Sequence, residues 1–333
     1  MKGYYLPMAC SRRQLLAGTL AFTGNAVWAQ KRYAPRLVCN TYYWNQAYST
    51  PFRYIAARPD PLQGPQPPLP VATGGNVWTT EQWHTVCSDL KYAGYRRMEL
   101  TDVTFLGTPI EISMAALNEY GIIIDHIWHS GPLYPAEVAE KTIASTTEML
   151  DRAKPLKSPC LFHDPFGDRG PISDENARLQ NRGLERIGRI LKDRGMKLYV
   201  HNHQGPMRYG AKEWWGVVDN TDPALVSMCL DLDWTWQAGT DPFPLLYRAG
   251  DRGRIGALHL RTQHKMISDE TMEEGGDIDF YKVADYLRKI RFDGVLVEET
   301  EPMKKTKITR PLREDKRLAR IWCEKVFGVS AKA

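Results

Sequence analysis

The stretch Leu198-Tyr199-Val200-His201-Asn202-His203-Gln204-Gly205-Pro206 sets two histidines two residues apart at the end of an apolar run. A strand turns successive side chains to opposite faces, so His201 and His203 share one face and Asn202 takes the other. Two imidazoles at a strand terminus can hold a metal or move protons. They can equally be structural residues whose hydrogen bonds are satisfied. The segments on either side, and the other histidines and carboxylates, decide between these readings.

Upstream of this strand, taken as Lys197–His203, the spacing of Leu184, Ile187 and Leu191 predicts a helix over about Ser173–Arg194. Further back come a strand at Pro159–His163, a helix over Pro135–Ala153, a strand at Ile122–Ile127 and a helix over Ile110–Tyr120. A strand at Tyr95–Leu100, a helix over Thr79–Ala93 and a first strand at Arg36–Thr41 complete that half. Downstream lie a short helix near Ala211–Val218, a strand at Val226–Leu232, a helical piece near Pro242–Arg248 and a strand at Ile255–Arg261. A helical face from Phe280 to Ile290, a strand at Gly294–Thr300 and a closing helix over Arg313–Val326 end the pattern. Strands alternating with helices imply parallel pairing through crossover helices. Eight such units in roughly 300 residues favour a closed α/β (β/α)8 TIM barrel over an open doubly wound sheet. No glycine-rich phosphate motif follows any strand, which argues against dinucleotide binding.

The first 29 residues read as a leader. Ser11-Arg12-Arg13-Gln14-Leu15-Leu16 is similar to the twin-arginine (Tat) export motif, and Val27-Trp28-Ala29 offers small residues where a signal peptidase needs them. Cleavage is expected after Ala29, leaving residues 30–333 as one barrel domain in the periplasm. The leader carries Lys2, Arg12 and Arg13 and no acid, so most of the formal charge of +5 goes with it. The near-neutral remainder gives no electrostatic ground for nucleic acid or an anionic membrane as partner. No stretch is long and apolar enough to span a bilayer. Cys10 lies in the leader, and the other five cysteines are scattered and odd in number, which is not a disulfide framework. A Pro-rich stretch at about 57–75 cannot be helix or central strand and is expected to be a long functional loop.

Seven of the eight histidines fall at or just past a strand end: His126, His129, His163, His201, His203, His259 and His264. In a (β/α)8 barrel those ends converge on the face that carries the active site. Carboxylates join them. Asp231 ends Val-Ser-Met-Cys-Leu-Asp, Glu298 ends Gly-Val-Leu-Val-Glu and Glu99 ends Arg-Arg-Met-Glu. A slip of one residue would exchange Glu298 for Glu299. The alternative for each carboxylate is a cap on the following helix. Imidazole and carboxylate donors without thiolates suit one divalent ion of the Mn, Zn, Co or Fe class. No nucleophilic serine or cysteine motif is present, so covalent acyl chemistry has no support.

These strand ends resemble the xylose isomerase-like TIM barrel superfamily, and Tyr199-x-His201-Asn202-His203 resembles the group called sugar phosphate isomerase/epimerase. Further matches are Leu230-Asp231-Leu-Asp-Trp-Thr-Trp-Gln-Ala-Gly-Thr-Asp-Pro242, Ala257-Leu-His-Leu-Arg261, Glu274-Gly-Gly-Asp-Ile-Asp279 and Phe292-Asp-Gly-Val-Leu-Val-Glu298. The resemblance implies an enzyme of carbohydrate metabolism, an isomerase or epimerase, with one metal held by His201, Asp231, His259 and Glu298. Many epimerases have glutamate where this chain has His201. The common Lys-Asp after the strand-seven histidine is Arg261-Thr262 here. Glu298, His201 or His203 would be the base that removes a proton beside a metal-bound carbonyl. Glu99, His129, His163, Arg261 and Trp234 are candidates for binding the sugar. One alternative is a lyase that cleaves 3-keto-sugars or 3-keto-glycosides by β-elimination. Another is a non-catalytic sugar-binding barrel. Phosphodiester hydrolysis is the remotest reading. A homo-oligomer is compatible with all of these.

Overall fold

The computed structural model describes residues 32–49, 77–166, 172–301 and 305–332. The leader and the Pro-rich loop at about 57–75 lie outside the described residues. Local chemistry marks the ends of several helices. Thr79 and Gln82 form a reciprocal capping box at the start of one helix, and Gly94, at φ 87°, ends it in the left-handed region.

In chain order the elements are β1 (Arg36–Cys39), α1 (Tyr42–Ser49), α2 (Thr80–Ala93), β2 (Arg97–Thr101), α3 (Asp102–Leu106), α4 (Ile110–Tyr120), β3 (Ile123–Trp128) and α5 (Ala136–Ala153). Then come β4 (Cys160–His163), α6 (Asp174–Asp193), β5 (Lys197–His201), α7 (Gln204–Asn220), β6 (Val226–Asp231), α8 (Leu232–Gln237), α9 (Pro242–Asp251) and β7 (Ile255–Leu260). A small antiparallel pair, β8 (Gln263–His264) and β9 (Ile267–Ser268), precedes α10 (Phe280–Lys289), β10 (Val295–Glu298) and α11 (Leu312–Phe327).

The parallel strands close in the order β1-β10-β7-β6-β5-β4-β3-β2, which is the expected (β/α)8 barrel. Strand alternation divides the core in two. Val38, Cys160, Phe162, Tyr199, Cys229, Ala257, Val295 and Val297 fill the barrel interior. The intervening Leu198, Val200, Met228, Leu230, Leu258, Leu260 and Leu296 face the helices. The interior packs around irregularities in the ladder. Gly256 sits where the β6–β7 register shifts, and a Cβ there would lie 2.1 Å from the Tyr199 ring, so only glycine admits that ring. At the floor, Asp125 is the extra residue where the β2–β3 register shifts. Arg36 reaches it at 2.8 Å and Arg97 at 3.3 Å. Burial opposes ionisation of Asp125, but hydrogen bonds from His126 and Arg36 outweigh it and hold the carboxyl low.

All five cysteines of the described chain are free and buried. Among the described residues no helix is long and apolar enough to cross a membrane.

Candidate metal centre

The interior face of each strand, followed one step beyond the apolar layer, delivers the site. On β5 the interior residue after Tyr199 is His201, on β6 the residue after Cys229 is Asp231, and on β7 the residue after Ala257 is His259. Past the end of β10 it is Glu299, after Val295 and Val297. One ligand atom from each of His201, Asp231, His259 and Glu299 lies within 4.8 Å of every other. His201 Nε2 is 3.4 Å from Asp231 Oδ2, and His259 Nδ1 is 2.7 Å from Glu299 Oε2. All four residues are buried or nearly so.

Glu298, the carboxylate expected here, lies outside this cluster, and Glu299, one residue along, stands in its place. The Glu298 side chain points with Leu296 into the helix layer. There Lys316 Nζ of α11 sits 3.1 and 3.2 Å from its two oxygens, and the Tyr95 hydroxyl donates at 3.2 Å. Glu298 and Lys316 are both fully buried, so each supplies the charge the other needs.

Asp231 does two jobs. Its Oδ1 accepts from the Trp234 backbone N–H at 2.8 Å and caps α8, while Oδ2 is buried with no hydrogen-bond partner. Both ring nitrogens of His201 are likewise buried without a partner. Burial, reinforced by the neighbouring His259 and His203, pushes His201 well below the ordinary histidine range and keeps it neutral. Burial pushes Asp231 up against the pull of Arg261. Burial opposes ionisation of Glu299 as well, but His259 beside it holds that carboxyl low. Unpartnered N and O atoms of this kind, converging in a buried pocket, fit a divalent cation with nitrogen and oxygen ligands. Asn202, on the opposite face of the strand, accepts from the Asp231 N–H at 3.0 Å and donates to the Asp231 carbonyl at 3.3 Å.

His203 stands beside this cluster and outside it. Its Nδ1 pairs with Asp164 Oδ2, and its side chain is 49% exposed. Burial lowers its proton affinity, but the hydrogen bond to Asp164 outweighs that and raises it. Two indoles flank the pair. Trp128 meets His201 edge-on at 4.6 Å between centroids and His203 at 6.0 Å, and Trp234 meets His203 at 5.7 Å. The Arg261 guanidinium lies 4.9 Å over Trp234, and it is 2.8 Å from both Asp233 and Glu301. Asp164, Trp128, Asp233 and Glu301 are not among the residues the sequence pattern offers for sugar, metal or proton, and Glu299 enters there only as the alternative to Glu298 on a one-residue slip. Asp164 was legible, since it shares an alternation face with Cys160 and Phe162.

Three expected sugar-binding residues lie elsewhere. Glu99 is 1% exposed; its oxygens take Asn40 Nδ2 at 2.7 Å and His126 Nε2 at 2.6 Å, so it faces the interior beneath the cluster. His163 points to the helix side and bonds to the Gly131 carbonyl at 3.2 Å. His129 pairs with Asp102 and reaches Ser145 on α5 at 3.3 Å. The strand-end rule put all three at the correct end of the barrel, but alternation turns His163 and loop geometry turns His129 away from its axis, while Glu99 stays inside, one layer below the cluster. Trp234 and Arg261 do border the site.

Known proteins agree with this architecture. The family model described as xylose isomerase-like TIM barrel matches residues 87–321. An inosose dehydratase of Clostridium tetani is 28% identical over 155 residues, covering 41% of this chain and 51% of that protein. The chain thus spans about half the length of the curated relatives it matches. Among solved structures, a sugar phosphate isomerase/epimerase from Parabacteroides distasonis superposes with a TM-score of 0.64 at 17% identity, covering 90% of this chain and 97% of the other. A 3-keto-D-glucoside 4-epimerase from E. coli gives 0.56 at 15% identity, covering 74% and 94%.

Proposed function

The chain belongs to the xylose isomerase-like TIM barrel family, and from that footing we propose that it is a metal-dependent sugar isomerase or epimerase that moves a proton next to a sugar carbonyl. The observation that carries this reading is the juxtaposition of His201, Asp231, His259 and Glu299 with the half-exposed His203–Asp164 pair. When bound, a divalent cation would supply Lewis acidity, polarising a carbonyl and offsetting the negative charge that builds as the adjacent carbon loses its proton.

The protein's own groups do the rest. Asp164 takes Nδ1 of His203, which fixes the ring and leaves Nε2 as the nitrogen that exchanges a proton. Trp128 and Trp234 provide flat apolar surfaces on which the C–H face of a sugar can rest. Arg261 is matched by Asp233 and Glu301, so its charge orients Asp231 and Trp234 and is not spare for a substrate anion.

The test is solvent exchange. Purified full-length protein with Mn²⁺ or Zn²⁺ is incubated in D₂O with a free ketose and, separately, with a 3-keto-glucoside, and deuterium at the carbon next to the carbonyl is followed by NMR. Metal-dependent incorporation that disappears in His203→Gln supports the reading. Folded, metal-loaded protein that exchanges neither substrate refutes it.

A second reading, β-elimination, has its own support in the inosose dehydratase relatives and in a histidine exposed enough to hand its proton to a departing group. Release of the aglycone with no epimer formed would select it. The Ser11-Arg12-Arg13 motif supports the further proposal that the enzyme works in the periplasm. Fractionation of cells carrying the native leader or an Arg12→Lys/Arg13→Lys leader tests that.

A further inference from the structure

A buried polar column lies directly beneath the four-residue cluster, and the proposed mechanism makes no use of it. His259 presents Nδ1 to that cluster, 2.7 Å from Glu299 and 3.9 Å from Asp231. Its other nitrogen, Nε2, is buried with no hydrogen-bond partner, and Glu99 Oε2 lies 3.7 Å from it. Glu99 is held from two sides. Asn40 Nδ2 donates to Oε1 at 2.7 Å and His126 Nε2 meets Oε2 at 2.6 Å. The same Asn40 amide donates to Glu299 at 3.1 Å, and its orientation is fixed because its oxygen accepts from the Tyr42 N–H at 2.6 Å. His126 is itself stacked on Phe162, with 3.8 Å between ring centroids.

From this arrangement we infer that Glu99 is a positioning residue that selects the metal-competent form of His259. The inference rests on the reading of His201, Asp231, His259 and Glu299 as a metal site. A histidine that gives the Nδ1 lone pair to a cation carries its one remaining proton on Nε2. In a dry interior that N–H needs an acceptor, and leaving it unmet is costly. Glu99 is the carboxylate placed to accept it, after a shift of about 1 Å that brings 3.7 Å to hydrogen-bond length. Closing that gap draws the imidazole away from Glu299, whose other oxygen stays on Asn40. Asn40 thereby couples the supporting carboxylate to the ligand carboxylate. A carboxylate behind a ligating histidine raises its basicity and fixes its tautomer, and losing such a partner weakens metal binding about 10- to 100-fold.

The experiment measures Zn²⁺ affinity of the full chain by competition with a chromophoric chelator, independent of turnover. Glu99→Gln is expected to weaken Zn²⁺ binding about 10- to 100-fold, with the melting temperature in EDTA little changed and partial recovery in Glu99→Asp. Long-range ¹H–¹⁵N spectra of the Zn²⁺ form should show His259 protonated on Nε2 in the wild type. Should Glu99→Gln not fold, Glu99→Asp, which keeps the carboxylate but shortens its reach toward His259 Nε2, is expected to weaken binding in the same direction by a smaller factor. Unchanged affinity in Glu99→Gln, with binding abolished in His259→Ala, overturns the inference while the metal site stands. Unchanged affinity in His259→Ala as well means that the metal reading itself has failed. Two Zn²⁺ per chain falling to one in Glu99→Gln would make Glu99 a ligand and also overturn it.

Discussion

Glu298 and Glu299 are adjacent in sequence and opposite in duty: Glu298 lies 3.1 Å from Lys316 Nζ in the helix layer, and Glu299 lies 2.7 Å from His259 Nδ1 in the barrel mouth. One peptide unit separates a structural ion pair from a candidate metal ligand. Substituting each in turn separates the two roles. Glu299→Gln is expected to keep its melting temperature in EDTA and to lose at least about 100-fold in Zn²⁺ affinity, beyond the upper end for outer-shell partners. Glu298→Gln leaves Lys316 charged and unmatched in the interior, and should cost about 3–5 kcal/mol of stability, read by urea unfolding. A Glu298→Gln protein of native stability that has lost its metal would reverse the assignment.

His203 and Asp164 should act on rate and leave metal binding alone. His203→Gln is expected to lower turnover about 10²- to 10⁴-fold, and Asp164→Asn should lower it by releasing the ring. Zn²⁺ affinity should stay within about twofold of wild type in both if the ion sits among His201, Asp231, His259 and Glu299, and should fall in both if it sits in the neighbouring Asp164–His201–His203 group. Steady-state rates alongside chelator competition check this.

Chelation should cost stability. A cation that binds only the folded chain stabilises it by about 2.7 kcal/mol at 100 times its dissociation constant. Thermal unfolding with Zn²⁺ and with EDTA should therefore differ by several degrees. Asp231→Ala and His259→Ala should erase the difference.

His163 sets an acid limit on the fold. Burial, with the nearby His129 adding to it, pushes its pKa down to about 4 from the ordinary 6.5. Between pH 6.5 and 4 the unfolded chain takes up a proton that the folded chain does not, so stability is present above 6.5 and drains as pH falls toward 4. The loss amounts to about 3 kcal/mol across that window. His163→Asn should flatten this part of the urea-denaturation profile and leave the slope above pH 7 as it was.

The barrel was legible because strand and helix periods alternate cleanly, and helix limits such as Ile110–Tyr120 agree with the sequence pattern. Short pieces after the strands were not. α1, α3, α8 and the β8–β9 pair are too short for a periodic signal to accumulate. Site residues were legible where alternation was anchored by an interior residue, as at His201, Asp231 and His259. The run Val295-Leu296-Val297-Glu298-Glu299 offers an apolar residue at both phases and a carboxylate at both, so parity alone could not choose. His163 and Asp164 pose the same problem. There the face shared with Cys160 and Phe162 would have pointed to Asp164.

Asn202 shows how the site is gauged. The β5–β6 ladder ends with His201 opposite Cys229. One residue further on, the Asn202 side chain exchanges two hydrogen bonds with the backbone of Asp231, as a neighbouring peptide would. The amide is in effect an extra rung, fitted where a barrel would otherwise begin to flare. The spacing between the strands that carry His201 and Asp231 is therefore held by the chain's own hydrogen bonds. The middle residue of His201-Asn202-His203, which points away from the cluster, is the part that holds that spacing.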